Sequence, residues 1–173
     1  MALSTIDLSQ QSGTSLPSSI VTASGLSTGK ILQVVQSIHT TNDYTTSGTY
    51  ATLFSKAITP SSTSNTILVI ATVNFNLYGN GTSSFPNGTI ELVDNGDNMI
   101  ARSFANASGN VSTDQTDQWN SVLTLQQIDS PSTTSAHTYK IRYKAGSGRF
   151  GILGASGGSS DNASTITLME IGA

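Results

Sequence analysis

The chain has 173 residues, enough for one β domain with its own core but too few for a second of similar size. Serine and threonine make up 52 residues (28 Ser and 24 Thr), against 7 basic and 10 acidic residues and a formal net charge of -3. Such scattered cations exclude a basic stripe for nucleic acid, and the absence of cysteine excludes disulfides and thiolate metal sites.

Residues 1–28 form a Ser/Thr/Gly-rich segment whose apolar residues follow neither the helical nor the strand period. Since this composition cannot build a core alone, we interpret it as an extended N-terminal arm that anchors the protein to a partner. The arm's candidate partner-binding residues are its apolar side chains: Leu3, Ile6, Leu8, Leu16, Ile20 and Val21. The sequence shows no secretory signal and no apolar run of the roughly 18 residues that a membrane span needs, so we expect synthesis in the cytoplasm.

Residues 29–173 alternate between apolar and polar positions in runs separated by Gly, Asn, Asp, Ser and Pro, which predicts strands. The clearest run is 66–77, whose odd-numbered residues from Ile67 to Leu77 are apolar and are expected to face the core. The remaining predicted strands cover about 30–38, 50–57, 88–94, 98–105, 119–128, 137–145, 149–154 and 164–171.

About nine strands with several long connections predict an all-β fold, an antiparallel two-sheet sandwich of jelly-roll or related Greek-key topology. Asn95-Gly96 predicts a type I′ hairpin turn. The oxygen-rich run from Asp94 to Asn98 lacks the spacing and terminal Glu of a calcium loop, so we expect no metal or cofactor there or elsewhere.

A match to the nucleophile-elbow pattern GxSxG surrounds Ser156. That motif requires a helix after the serine and a histidine base downstream, but a loop composition follows and both His39 and His137 come earlier. We therefore expect no enzymatic activity.

Basic residues recur at Lys140, Arg142 and Lys144, and this period of two places them on one face of a strand. One interpretation is that these residues form a solvated outer face, opposite Tyr139, Ile141 and Tyr143, with no partner. The alternative is a basic face that contacts an acidic partner surface.

The aromatic residues raise the possibility of carbohydrate binding. A carbohydrate-binding module is favoured only if Trp119, Tyr44 and Tyr50 lie exposed together in one groove, and burial in the core or in an interface is the commoner fate of a single tryptophan.

Four segments resemble a family of short virion proteins and fibre domains of tailed bacteriophages, of the type found in marine and cyanobacterial phages. They are Gly29-Lys30-Ile31-Leu32-Gln33-Val34-Val35-Gln36, Ile58-Thr59-Pro60-Ser61-Ser62-Thr63-Ser64, Asp129-Ser130-Pro131-Ser132-Thr133-Thr134-Ser135 and Ser164-Thr165-Ile166-Thr167-Leu168-Met169-Glu170-Ile171. The resemblance implies a non-enzymatic component of the virion surface, commonly a homotrimer.

The hypothesis that joins the resemblance to the arm is a capsid decoration, cement or head-fibre protein. Its arm would bind the major capsid protein or another virion protein. The alternative is a tail-fibre or receptor-binding tip that contacts a host surface receptor, and a carbohydrate-binding module is the less favoured third possibility. The family occurs in both head and tail locations, so the resemblance leaves this choice open.

Overall fold

The computed structural model describes residues 29–78, 86–107, 118–153 and 162–173. These residues form ten β-strands in two antiparallel sheets. The strands are β1 (Ile31–His39), β2 (Asp43–Thr45), β3 (Ala51–Ile58), β4 (Thr66–Tyr78), β5 (Asn87–Val93), β6 (Met99–Asn106), β7 (Gln118–Asp129), β8 (His137–Ser147), β9 (Arg149–Ile152) and β10 (Ser164–Ile171).

The six-stranded sheet is organised around the long strand β4. One edge of β4 pairs with β7 from Ile67 opposite Asp129 to Tyr78 opposite Gln118. Its other edge is divided between β10 and β9, which continue outward to β1 and β2 respectively. The sheet is therefore four strands wide from Ile67 to Thr72 of β4, where β1, β10 and β7 are present, and again from Phe75 to Leu77, where β2, β9 and β7 are present.

The four-stranded sheet has the order β3-β8-β5-β6. At the open sides of the sandwich, β1 lies near β3 and β6 lies near β7. Among the strand pairs described, only β5 and β6 are consecutive in the sequence, because the chain repeatedly crosses between the sheets. The predicted all-β, antiparallel two-sheet sandwich is confirmed.

The core lies between the sheets, where strand alternation places apolar side chains inward. All six predicted inward residues of β4, from Ile67 to Leu77, are buried. Phe150 of β9 packs at the centre, with its ring centroid 5.6 Å from that of Phe75. Gly88 must remain glycine, because a Cβ atom there would lie 2.5 Å from the Phe150 ring.

The connection between β5 and β6 differs from its prediction. The hairpin is present, but Asp97 has the positive φ of 63°, whereas a type I′ turn would place positive φ at Asn95 and Gly96. The Asp94 carboxylate accepts hydrogen bonds from the backbone N–H groups of Gly96 and Asn98, each at 2.8 Å, and this side-chain cap selects a longer turn. The predicted type I′ geometry is wrong.

Strand β2 was not predicted. It has only three residues, too few to show alternation, and it forms because Tyr44 pairs with Gly151 of β9. In the part of the chain that the structure describes, no helix is long and apolar enough to span a membrane.

Candidate functional site

The outward face of the six-stranded sheet carries apolar side chains in register. Directly paired residues share a face, so Val34, Met169, Leu68 and Ile128 form one row across β1, β10, β4 and β7. Ile31 pairs with Ile171 in the next row. We call these six residues the apolar face: Ile31, Val34, Leu68, Ile128, Met169 and Ile171.

The apolar face is open to solvent at both of its edges. Val34 on β1 is 53% exposed and Ile128 on β7 is 56% exposed, while Leu68 and Met169 between them are half-buried. The adjoining outward rows are uncharged, with hydrogen bonds such as Gln36 Nε2 to Thr167 Oγ1 at 3.0 Å. Contiguous apolar area on a protein surface is typical of sites that contact another surface.

Beyond Thr72 the same outward face becomes largely polar and aromatic, although Val122, which pairs with Asn74, is 57% exposed there. The guanidinium carbon of Arg149 lies 3.9 Å from the ring centroid of Tyr44 and 5.4 Å from that of Tyr78. Asn76 donates to the Tyr78 hydroxyl at 2.8 Å. We call Tyr44, Tyr78 and Arg149 the tyrosine–arginine cluster; it holds a cation between two rings at the end of the face away from the apolar rows.

The outward face of the four-stranded sheet brings together the three residues of the predicted basic face. Lys140, Arg142 and Lys144 all lie there, half-buried, while the alternate residues of β8 point into the core. The spacing in the sequence therefore located them on one face. Whether this face contacts a partner stays a prediction.

Acidic side chains of the chain itself already neutralise much of this face. Glu91 is only 1% exposed and pairs with Arg142 at 2.5 Å and with Arg102 at 2.8 Å. Lys140 pairs with Asp97 at 2.8 Å. We call these five residues the charged network.

Tyr50 lies across the charged network. Its ring centroid is 4.5 Å from the Lys144 ammonium and 5.4 Å from the Arg142 guanidinium carbon. Burial opposes ionisation of Glu91, but hydrogen bonds from Arg102, Arg142 and Tyr50 outweigh it and hold the pKa of that carboxyl below its usual value. The arrangement is that of a structural ion-pair cluster, with Lys144 stacked on Tyr50.

A second buried carboxylate, Glu170, closes one end of the sandwich. It is 0% exposed and accepts hydrogen bonds at 2.6 Å from Gln33 Nε2, Asn65 Nδ2 and the Ser61 backbone N–H. Burial opposes its ionisation, but these hydrogen bonds prevail and lower the pKa of Glu170 to about 2. Gln33 also donates to the Thr59 carbonyl at 2.7 Å.

The four segments that carry the phage resemblance meet at this end. Gln33 belongs to the first segment, Ser61 to the second and Glu170 to the fourth, and Asp129 of the third pairs with Ile67 at the same end of β4. Alternation alone gave no sign of this cluster. The available signal was the pair of polar residues, Gln33 and Glu170, at inward positions of apolar strands.

The predicted anchoring residues, from Leu3 to Val21, lie outside the described residues, as does Ser156. Gly29 and Lys30, which follow the predicted arm, are described. Gly172 donates a backbone hydrogen bond to the Lys30 carbonyl at 2.9 Å, so the C-terminal residues secure the chain immediately before β1.

The three aromatic residues considered for sugar binding lie apart. Tyr44 is on the outward face of the six-stranded sheet, and Tyr50 covers the outward face of the four-stranded sheet. Trp119 pairs with Leu77 and therefore lies on the inward side of edge strand β7. The structure does not bring them into one groove.

Among the described residues, no group of three or more His, Asp or Glu side chains could hold a metal ion. The two histidines are in different sheets, where His39 stacks on Phe54 at 5.4 Å and His137 contacts the edge of Tyr139 at 5.0 Å between centroids.

No protein-family model and no curated protein matches this chain. Solved structures to which the chain is similar include one of the infectious bursal disease virus Gx strain, at 12% identity and a TM-score of 0.38, and one of the VP2 subviral particle of infectious bursal disease virus, at 12% identity and a TM-score of 0.34. Each match covers 80% of this chain but only 36% and 38% of the respective viral chains. The chain thus spans little more than a third of those proteins, and these matches assign it no family and no activity.

Proposed function

We propose that this protein is a structural component of a tailed-phage particle: a capsid decoration, cement or head-fibre protein at the virion surface. Residues 1–28 bind the major capsid protein or another virion protein, and residues 29–173 form the sandwich that projects from the shell. The apolar face is the observation that supports the proposal, because a broad apolar surface outside a folded core is suited to contact between proteins.

The proposed assembly unit is a homotrimer. Three copies present three identical arms, and simultaneous binding of linked arms strengthens attachment without any new contact. The root of each arm is firmly placed, because Gly172 and the Glu170 cluster fix the chain around Lys30 and Gln33.

A deletion of residues 1–26 tests the anchoring role. The truncated sandwich retains the bonds of Lys30 and Gln33, so it should keep its β-sheet circular dichroism and cooperative melting. Its binding to particles that lack the protein should fall by on the order of 10²-fold or more, because the loss is repeated in each linked copy.

The matched control keeps the length of the arm and replaces Leu3, Ile6 and Leu8 by serine. We expect it to bind nearly as poorly as the deletion, since apolar burial provides the contact. Full-strength binding by the truncated protein would overturn the anchor.

We also propose that the protein is not an enzyme. The observation in favour is that His39 and His137 are each packed against an aromatic ring in different sheets, away from one another. Ser156→Ala should leave particle assembly unchanged. Cleavage of a host polysaccharide or ester that disappears in this variant would contradict the proposal.

The alternative, a tail-fibre or receptor-binding tip, draws support from the tyrosine–arginine cluster. Tyr44 is 41% exposed beside the Arg149 guanidinium, a combination that stacks on sugars or pairs with anions at a host surface. A reconstruction of the whole particle distinguishes the two functions. Density for the sandwich on the head supports the decoration protein, and density at the tail tip supports the alternative.

A further inference from the structure

The apolar face has the dimensions of one side of a three-sided prism. It is four strands wide, and neighbouring strands lie about 4.8 Å apart, so its width is about 19 Å. Three faces of this width around a three-fold axis would each lie about 5.5 Å from the axis. Sheets packed face to face are about 10 Å apart, which leaves about 5 Å for the side chains of each.

We propose that three copies of this chain turn their apolar faces toward a common three-fold axis. In this arrangement Leu68 and Met169 pack around the axis, and the β1 edge of one copy contacts the β7 edge of the next. The inference rests on the homotrimer of the proposed function and adds the surface through which the copies associate.

Exposure at both edges of the face favours this geometry. Val34 on β1 and Ile128 on β7 are each more than half exposed, and they lie at opposite ends of one row. A ring needs two different contacting surfaces on each copy, whereas a two-fold dimer uses one surface twice. Apolar residues at both edges supply the two surfaces.

The charge distribution agrees with a contact between identical faces. Like charges brought together around an axis would repel, and the apolar face and its neighbouring rows contain none. Arg149 lies on the polar half of the sheet, beyond Thr72, and the charged network lies on the opposite side of the sandwich. The axial contact is therefore confined to the end nearer Glu170.

The width of the face favours a second copy over a single extended segment as its occupant. From Ile31 to Ile38 the outward rows cover about 23 Å along β1, so the uncharged area, which includes glutamine and threonine side chains as well as the apolar ones, is on the order of 400 Å². One added strand covers about 4.8 Å of the 19 Å width. Identical sheets meeting at their edges cover all of it.

Disulfide trapping tests the arrangement, because the chain contains no cysteine of its own. Two double-cysteine variants are purified as full-length protein and oxidised. They are Val34→Cys/Ile128→Cys and, one row along, Gln36→Cys/Gln126→Cys. Within one copy the paired positions are three strand spacings, about 14 Å, apart, beyond the reach of a disulfide. We expect at least one of the two variants to give a covalent trimer on a denaturing gel, while each single-cysteine variant stays monomeric there.

The matched control is Val34→Cys/Phe104→Cys, which pairs the β1 edge with an exposed residue of the other sheet and should not cross-link. Melting temperatures close to that of the unaltered protein exclude misfolding as the cause of any result. No cross-link from either pair in a protein that sediments as a trimer would overturn the interface but leave the homotrimer. A covalent dimer as the end product, or sedimentation as a monomer, would overturn both.

Discussion

The two outward faces of the sandwich share one core but differ in where their side chains find partners. On the four-stranded sheet, Glu91 is buried by two arginines and Tyr50, so the polar groups are satisfied within the chain. On the six-stranded sheet, Val34 and Ile128 remain open to solvent. A face with satisfied charges is stable in water, whereas an apolar face gains free energy from each further apolar area it buries.

The difference assigns separate roles to the two faces. Ion pairs at the surface of a protein contribute little when exposed and more when neighbouring groups exclude water from them, as Tyr50 does over Glu91. The charged network therefore stabilises the sheet to which it belongs. The apolar face, by contrast, is expected to contribute mainly in the assembled oligomer.

The largest effect is expected when a charge is placed on the apolar face. In the proposed trimer of about 54 kDa (three chains of 17.9 kDa each), Ile128→Lys would bring three ammonium groups to the contacts between copies, so the trimer should dissociate to monomers. Sedimentation equilibrium measures the mass.

Phe104→Lys is the control for this experiment, because Phe104 is 67% exposed on the outward face of the other sheet. It should leave the mass unchanged. A trimer that persists with Ile128→Lys, or one that is lost equally in both variants, would remove the distinction between the faces.

Acidification, which protonates Glu170, should have the next largest effect and should lower the free energy of unfolding. The pKa of this carboxyl in the folded protein, about 2, lies below its ordinary value of 4.5, so the folded state binds the proton less readily. Its contribution to stability is complete above about pH 4.5 and is lost as the pH falls toward 2. The free energy of unfolding, measured by urea denaturation across this range, should decline in the unaltered protein.

Glu170→Gln should be less stable at pH 7 and should lose much of that pH dependence. The variant keeps the size of the side chain but cannot accept the charge-assisted hydrogen bonds from Gln33, Ser61 and Asn65. If the free energy of unfolding of Glu170→Gln fell between pH 4.5 and 2 as steeply as that of the unaltered protein, other carboxyls would control acid unfolding.

Glu91→Gln should destabilise the sandwich without changing its oligomeric state. The substitution removes two ion pairs from a buried position, and we expect a loss of about 1–3 kcal/mol in the free energy of unfolding. Denaturation of the single variant, of Arg102→Gln and of the double variant measures how strongly the two residues interact. A trimer that dissociates in Glu91→Gln would link the charged network to assembly.

The smallest effect is expected at the rim of that network. Lys140 pairs with Asp97, which is 53% exposed, so water and salt screen the pair. Lys140→Ala should change the free energy of unfolding by less than about 0.5 kcal/mol. A loss above 1 kcal/mol would mean that the basic face depends on this residue far more than its exposure indicates.

Much of the fold was predictable because alternation is a local signal. The inward residues of β4, the face shared by Lys140, Arg142 and Lys144, and most strand positions follow from period-two patterns. The short strand β2 and the Asp94-capped turn depend on pairings and side-chain bonds that composition does not encode.

The candidate site was less predictable because it depends on register. Val34, Leu68, Ile128 and Met169 come from four strands that are distant in the sequence, and only the pairing of those strands places them in one row. The Glu170 cluster likewise joins residues more than 100 positions apart. The role of the arm remains a prediction, since residues 1–28 lie outside the described part of the chain.

The central claim, that one outward face is covered in the assembly and the other is not, is tested most directly by thiol labelling. Val34→Cys and Phe104→Cys each introduce a single thiol into a chain that has no cysteine. In the isolated chain Val34 is 53% exposed and Phe104 is 67% exposed. In the native protein, assembled as proposed, we expect rapid labelling of Phe104→Cys and at least ten-fold slower labelling of Val34→Cys, with equal rates for both after denaturation. Equal rates in the native protein would contradict the account.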